Sequence, residues 1–111
     1  MNEFDLIRHY FSSLTASRSD TSLGIGDDCA LCQLPANTQL AVTTDTLVSG
    51  RHFFADTDPY NLGYKALAVN LSDLAAMGAE PAWVSLALTL PAIEPTWLQA
   101  FAAGFADLAK Q

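Results

Sequence analysis

The chain has 111 residues, room for one domain with a modest core and not for a second. Half of them are hydrophobic and 15% are charged, which excludes a disordered tail and implies burial on more than one face, yet no apolar run is long and uncharged enough for a membrane helix. Twelve acidic residues against five basic ones give a formal charge of −7, a field that repels nucleic-acid phosphates and admits a phosphate ester only where divalent cations stand between.

Residues 1–6 begin with polar and acidic residues rather than a basic signal sequence, so a cytoplasmic protein is expected. Residues 3–14 place Phe4, Ile7, Tyr10, Phe11 and Leu14 at helical spacing and predict a short amphipathic helix. Polar residues 17–22 then lead into Leu23-Gly24-Ile25-Gly26-Asp27-Asp28, a loop whose glycines permit a tight backbone path. Residues 29–34 read as a short strand closed by Pro35-Ala36-Asn37, and residues 39–47 as a longer one able to pair with it as a hairpin. Cys29 and Cys32 form a C-x-x-C, but His9 and His52 lie at spacings unrelated to a four-ligand zinc site. The two cysteines are therefore read as small apolar fillers on the short strand, kept reduced.

Asp58-Pro59 supplies an N-cap and a first-turn proline for a helix that runs to Met77, before Gly78 and Pro81 stop it. Residues 83–90 form a continuous apolar strand ended by Pro91. Residues 96–109 place Trp97, Phe101, Phe105 and Leu108 on one helical face, with Thr96 as the cap. The order helix, two strands, helix, strand, helix predicts an α/β (α+β) domain, a mixed sheet packed with helices. That sheet is expected to be unfinished, since a further strand would ordinarily follow the last helix.

Three groups of residues carry chemistry. Asp27 and Asp28 are adjacent carboxylates behind Gly24-x-Gly26, either a hard-oxygen site for Mg²⁺ or a solvated turn that caps backbone amides. Thr43-Thr44-Asp45-Thr46 ends an apolar strand, where the period of two puts Thr43 and Asp45 on one face, a second half of a metal site or plain β-structure. The helix around Asn70 and Asp73 is apolar almost all round and so expected to be buried; the two share a face, and an ionised Asp73 there needs a positive charge nearby. Lys65 is too far along the helix to provide it, and the alternative is that Ser72 or Asp73 caps a second short helix after a break. His52, after Gly50-Arg51, stands in a loop as a substrate contact or an ordinary surface histidine. Without a P-loop, a dinucleotide loop or a nucleophile elbow, phosphoryl transfer would fall to the aspartates and Mg²⁺.

Gly24-Ile25-Gly26-Asp27-Asp28-Cys29-Ala30, Thr43-Thr44-Asp45-Thr46-Leu47-Val48-Ser49-Gly50-Arg51-His52-Phe53 and Tyr64-Lys65-Ala66-Leu67-Ala68-Val69-Asn70-Leu71-Ser72-Asp73-Leu74-Ala75-Ala76-Met77-Gly78-Ala79 together resemble, in order and spacing, the thiamine-monophosphate kinase family. The resemblance covers nearly the whole chain and is that of a bacterial member. It implies a superfamily shared with aminoimidazole ribonucleotide synthetase and selenophosphate synthetase, and the incomplete amino-terminal domain of that fold. It further implies transfer of the γ-phosphoryl of ATP to thiamine monophosphate, giving thiamine diphosphate. On it, Asp28, Thr43, Thr44, Asp45 and Asp73 fall on magnesium-ligand positions with Asp27 beside them, and His52 on a substrate-contact position. Ser49 and Arg51 match no part of the family pattern. Homodimerisation through this domain, with strands of both copies completing a barrel, is implied too.

Residues 1–111 are thus expected to be an Mg²⁺- and ATP-binding, dimerising domain, inactive alone because the family's Gly-Gly-Asp-Thr-Thr type loop and second domain lie beyond them. Two other readings remain. Another ATP-dependent enzyme of the superfamily is separated by comparing turnover with thiamine monophosphate and with selenide; a non-catalytic Mg²⁺- and nucleotide-binding dimerisation module is separated by assaying the chain beside a full-length version.

Overall fold

A computed structural model describes residues 2–12, 18–23, 25, 30–47 and 56–111, and two long helices organise it. The side chain of Asn2 accepts from the Asp5 N–H at 2.8 Å and opens helix α1, Glu3–Leu6. From Ile7–Phe11 the backbone widens into a π-helical turn. The predicted amphipathic helix is therefore present as far as Phe11, but its apolar stripe is split. Ile7, Tyr10 and Phe11 are half-buried, whereas Phe4 stays exposed.

Strand β1, Thr21–Leu23, pairs antiparallel with β2, Leu31–Cys32, with Thr21 opposite Cys32 and Leu23 opposite Leu31 across a bulge. This two-stranded sheet differs from the predicted hairpin, in which residues 29–34 were to pair with 39–47. The turn between those two segments does form, with Asn37 at a φ of 61° and Thr38 Oγ1 donating to the Pro35 carbonyl at 2.6 Å. The segment 39–47 does not pair back on β2 among the described residues. Among the described residues 39–47 and 83–90 carry no ladder partner, so the predicted strands there are unpaired chain. Cys32 lies on β2 as expected but is exposed rather than packed as a filler.

Helix α2, Pro59–Ala76, begins where Asp58 accepts from the Tyr60 N–H at 3.2 Å, with proline in its first turn. It ends in a Schellman arrangement: Gly78, at a φ of 67°, donates to the Ala75 carbonyl, and Ala79 donates to Leu74 at 3.0 Å. Both ends fall where the sequence places them. Helix α3, Pro95–Ala109, starts one residue before the predicted Thr96, which lies inside it and caps nothing; Glu94 precedes it without a side-chain cap.

The core sits between α2 and α3. Leu62 and Leu67 from α2 meet Leu98, Phe101, Ala102, Phe105 and Ala106 from α3, and Leu98 is fully buried. Each large apolar side chain removed from water here contributes about 1.5–3 kcal/mol. Of the predicted stripe Phe101 and Phe105 are buried, while Trp97 and Leu108 are half-buried; Leu98, not Trp97, enters the core, and Trp97 stacks on Phe101 with 5.1 Å between ring centroids. Backbones approach closely at two glycines. A Cβ on Gly63 would overlap the Phe101 carbonyl oxygen, and one on Gly104 that of Tyr60.

Candidate functional site

Asp73 lies near the carboxyl end of α2, and the sequence reading of that helix as buried all round needs correcting. Only Leu62, Gly63 and Leu67 of α2 are buried, all towards its amino-terminal half, and Asp73 is exposed. Solvent rather than a buried counter-charge therefore accommodates its carboxylate. The alternative of a helix break at Ser72 is excluded, because α2 is continuous from Pro59 to Ala76.

One long-range contact defines the site. Thr43 Oγ1 donates to Asp73 Oδ2 at 3.4 Å, a long hydrogen bond between positions 30 residues apart. The segment 39–47 thus passes over the end of α2 and delivers a hydroxyl to the carboxylate. Thr43 is half-buried by this contact, while Thr44 and Asp45 stand exposed beside it. Asp27, Asp28 and His52 lie outside the described residues, as do Cys29, Ser49 and Arg51.

A turn of helix before Asp73, Asn70 adds a feature to which the sequence assigned no role. Its Nδ2 donates to the Ala66 carbonyl at 3.2 Å, while its Oδ1 is sealed from solvent and has no hydrogen-bond partner among the described residues. The sequence signal was the shared face of Asn70 and Asp73; the orphaned oxygen itself is visible only in the fold. Thr43, Asp73 and Asn70 are all oxygen donors, the chemistry that Mg²⁺ selects over zinc or copper. Among the described residues no three of His, Cys, Asp and Glu come together, and the contact that joins the candidate residues is the one from Thr43 to Asp73.

A second set of contacts, around Trp83, steadies β1 against the chain that follows α2. Trp83 Nε1 donates to Thr21 Oγ1 at 2.9 Å, and the Arg18 guanidinium lies 5.9 Å from the centre of the indole ring. Arg18 also makes two hydrogen bonds of 2.9 Å to Asp20, which hold the Asp20 carboxyl below its ordinary value and the guanidinium above its own. An open groove lined by His9, Tyr10, Pro95, Gln99, Ala102 and Ala103 contains none of the candidate residues.

Residues 26–111 match the family model described as AIR synthase related protein, N-terminal domain. Over 106 residues the chain is 59% identical to the thiamine-monophosphate kinase of Escherichia coli (strain K12), covering 96% of this chain and 33% of that protein. It is 62% identical over 99 residues to the Salmonella typhimurium thiamine-monophosphate kinase, covering 89% of this chain and 30% of that one. With the Haemophilus influenzae protein of the same name it shares 52% identity over 111 residues, 100% of this chain and 34% of that one. The chain spans about a third of the length of these curated relatives.

Proposed function

The chain belongs to the AIR synthase related proteins, as their N-terminal domain, and from that premise we propose that it supplies the magnesium and phosphate site of an ATP-dependent thiamine-monophosphate kinase. The structural observation that carries this reading is the reach of Thr43 to Asp73, which joins two of the three acidic segments through a single contact. Asp73, Thr43, Thr44 and Asp45 would hold Mg²⁺, joined by Asp28 with Asp27 beside it, and His52 would touch thiamine monophosphate. When bound, Mg²⁺ would supply positive charge that neutralises the phosphates of ATP and the acceptor.

What remains for the chain is placement. Thr43 holds the Asp73 carboxylate by one oxygen, limiting the rotamers open to a side chain that is otherwise exposed. Phosphoryl transfer requires attacking oxygen, phosphorus and leaving oxygen in line, in a site that keeps water out. With about a third of the length of its curated relatives, the 111-residue chain alone is expected to bind Mg²⁺ without turnover. No covalent phospho-enzyme is part of this reading.

Exposed Leu40, Val42, Val84 and Leu86 lie on the two unpaired segments, a distribution that suits a homodimer in which strands of both copies complete a mixed sheet. It also favours the second reading, a non-catalytic Mg²⁺- and nucleotide-binding dimerisation module working in the cytoplasm. The two readings separate in a chimera that carries residues 1–111 in place of the matching third of a full-length relative. Formation of thiamine diphosphate from ATP and thiamine monophosphate is expected, falling about a hundredfold or more with Asp73→Asn, since even groups that only support a metal ligand cost about ten- to a hundredfold. A folded chimera without turnover overturns the kinase reading, and near-normal turnover by the Asp73→Asn form overturns the metal role of Asp73.

A further inference from the structure

We propose that the side-chain oxygen of Asn70 is an additional neutral donor of the cation site, acting beside Asp73; the proposal rests on the magnesium reading above. Donation from Asn70 Nδ2 to the Ala66 carbonyl at 3.2 Å settles which end of the amide is oxygen and fixes its direction. That oxygen is sealed from solvent and receives no hydrogen bond from the described residues. Native proteins rarely leave a buried acceptor in this condition, and an ion or its bound water is among the few reasons for doing so. Asn70 and Asp73 are three residues apart on a continuous helix and share a face, and Thr43 reaches that face from 30 residues away.

The chemistry suits the surroundings. An amide carbonyl is a hard oxygen of the kind that Mg²⁺ and its coordinated waters engage. Being neutral, it adds a donor without adding to the repulsion in a chain of formal charge −7. The oxygen left unpartnered in the metal-free chain then gains its partner when the cation arrives.

A purely structural Asn70 and a cation-binding one respond oppositely to substitution. The test follows the thermal midpoint of the 111-residue chain during titration with MgCl₂, for the parent, Asn70→Leu, Asn70→Asp and Asp73→Asn. Asn70→Leu removes the unpartnered acceptor, so it should raise the metal-free midpoint while weakening the apparent Mg²⁺ affinity about tenfold, the loss typical of a group that supports a metal. Asn70→Asp should do the reverse, lowering the metal-free midpoint and enlarging the Mg²⁺-dependent rise. An unchanged Mg²⁺ response in Asn70→Leu overturns the proposal, and if that variant does not fold, a rise in Asn70→Asp no larger than the parent's does so. Loss of the response in Asp73→Asn with its retention in Asn70→Leu defeats this inference alone. Retention in Asp73→Asn defeats the magnesium reading, and this inference with it.

Discussion

At the scale of single residues, Thr43 and Asp73 make the contact on which the site rests, and they contribute differently. Asp73 brings the charge, while Thr43 brings one neutral oxygen and a hydrogen bond that is long at 3.4 Å. Thr43→Val keeps the side-chain shape and removes the hydroxyl. It should weaken Mg²⁺ binding less than Asp73→Asn does, and Thr43→Ser should restore it; calorimetric titration with MgCl₂ checks the order. Because Asp73 is exposed, Asp73→Asn should alter metal-free stability by no more than about 0.5 kcal/mol. The sequence made both residues legible, through the period of two at Thr43 and through a lone carboxylate on an apolar helix. It misjudged the burial of Asp73, since an apolar composition around a helix does not say which faces find a partner. Asn70 was legible as a neighbour of Asp73, but its unpartnered oxygen depends on side-chain directions that no spacing rule contains.

Among the elements, the pairing of α2 with α3 governs stability. Gly63 and Gly104 let the two backbones touch, and an added methyl at either position would strike a carbonyl oxygen rather than a yielding side chain. Gly63→Ala and Gly104→Ala should each destabilise the chain by about 1–3 kcal/mol or more despite alanine's better helix propensity, measured by urea unfolding. Tyr60 adds a polar clasp across the same interface, its hydroxyl donating to Asp107 Oδ2 at 2.5 Å. That bond, more than burial, raises the phenol above its ordinary value, so the fold favours the neutral form. The clasp's stabilisation is therefore complete below about pH 10 and is lost as pH rises through the raised value. The stability gap between the parent and Tyr60→Phe should be flat up to about pH 10 and shrink above it, by unfolding at a series of pH values. Caps and stop signals are local, and for that reason α2 and the end of α3 could be read from sequence alone. Strand partners are not local. Residues 29–34 were matched to their downstream neighbour when β1, from upstream, is the partner, and nothing in the apolar run of residues 83–90 says whether a ladder awaits it.

For the whole molecule, the two governing facts are the charge of −7 and apolar segments left without a ladder among the described residues. The charge disfavours the approach of a phosphate unless a cation stands between, and the segments suit a second copy or the rest of a protein of which the relatives are about three times as long. A cation that binds only the folded form stabilises it by about 2.7 kcal/mol at a hundredfold excess over its dissociation constant, so in the proposed site folding and function would be linked through Asp73. The most direct measurement replaces Mg²⁺ with Mn²⁺ and follows the free-ion electron paramagnetic resonance signal as the 111-residue chain is added, for the parent and for Asp73→Asn. The parent should deplete the free Mn²⁺ signal saturably and release the ion to excess Mg²⁺, with at least about tenfold weaker binding in Asp73→Asn. Equal Mn²⁺ depletion by both chains, or none by either, would contradict a divalent-cation site at Asp73.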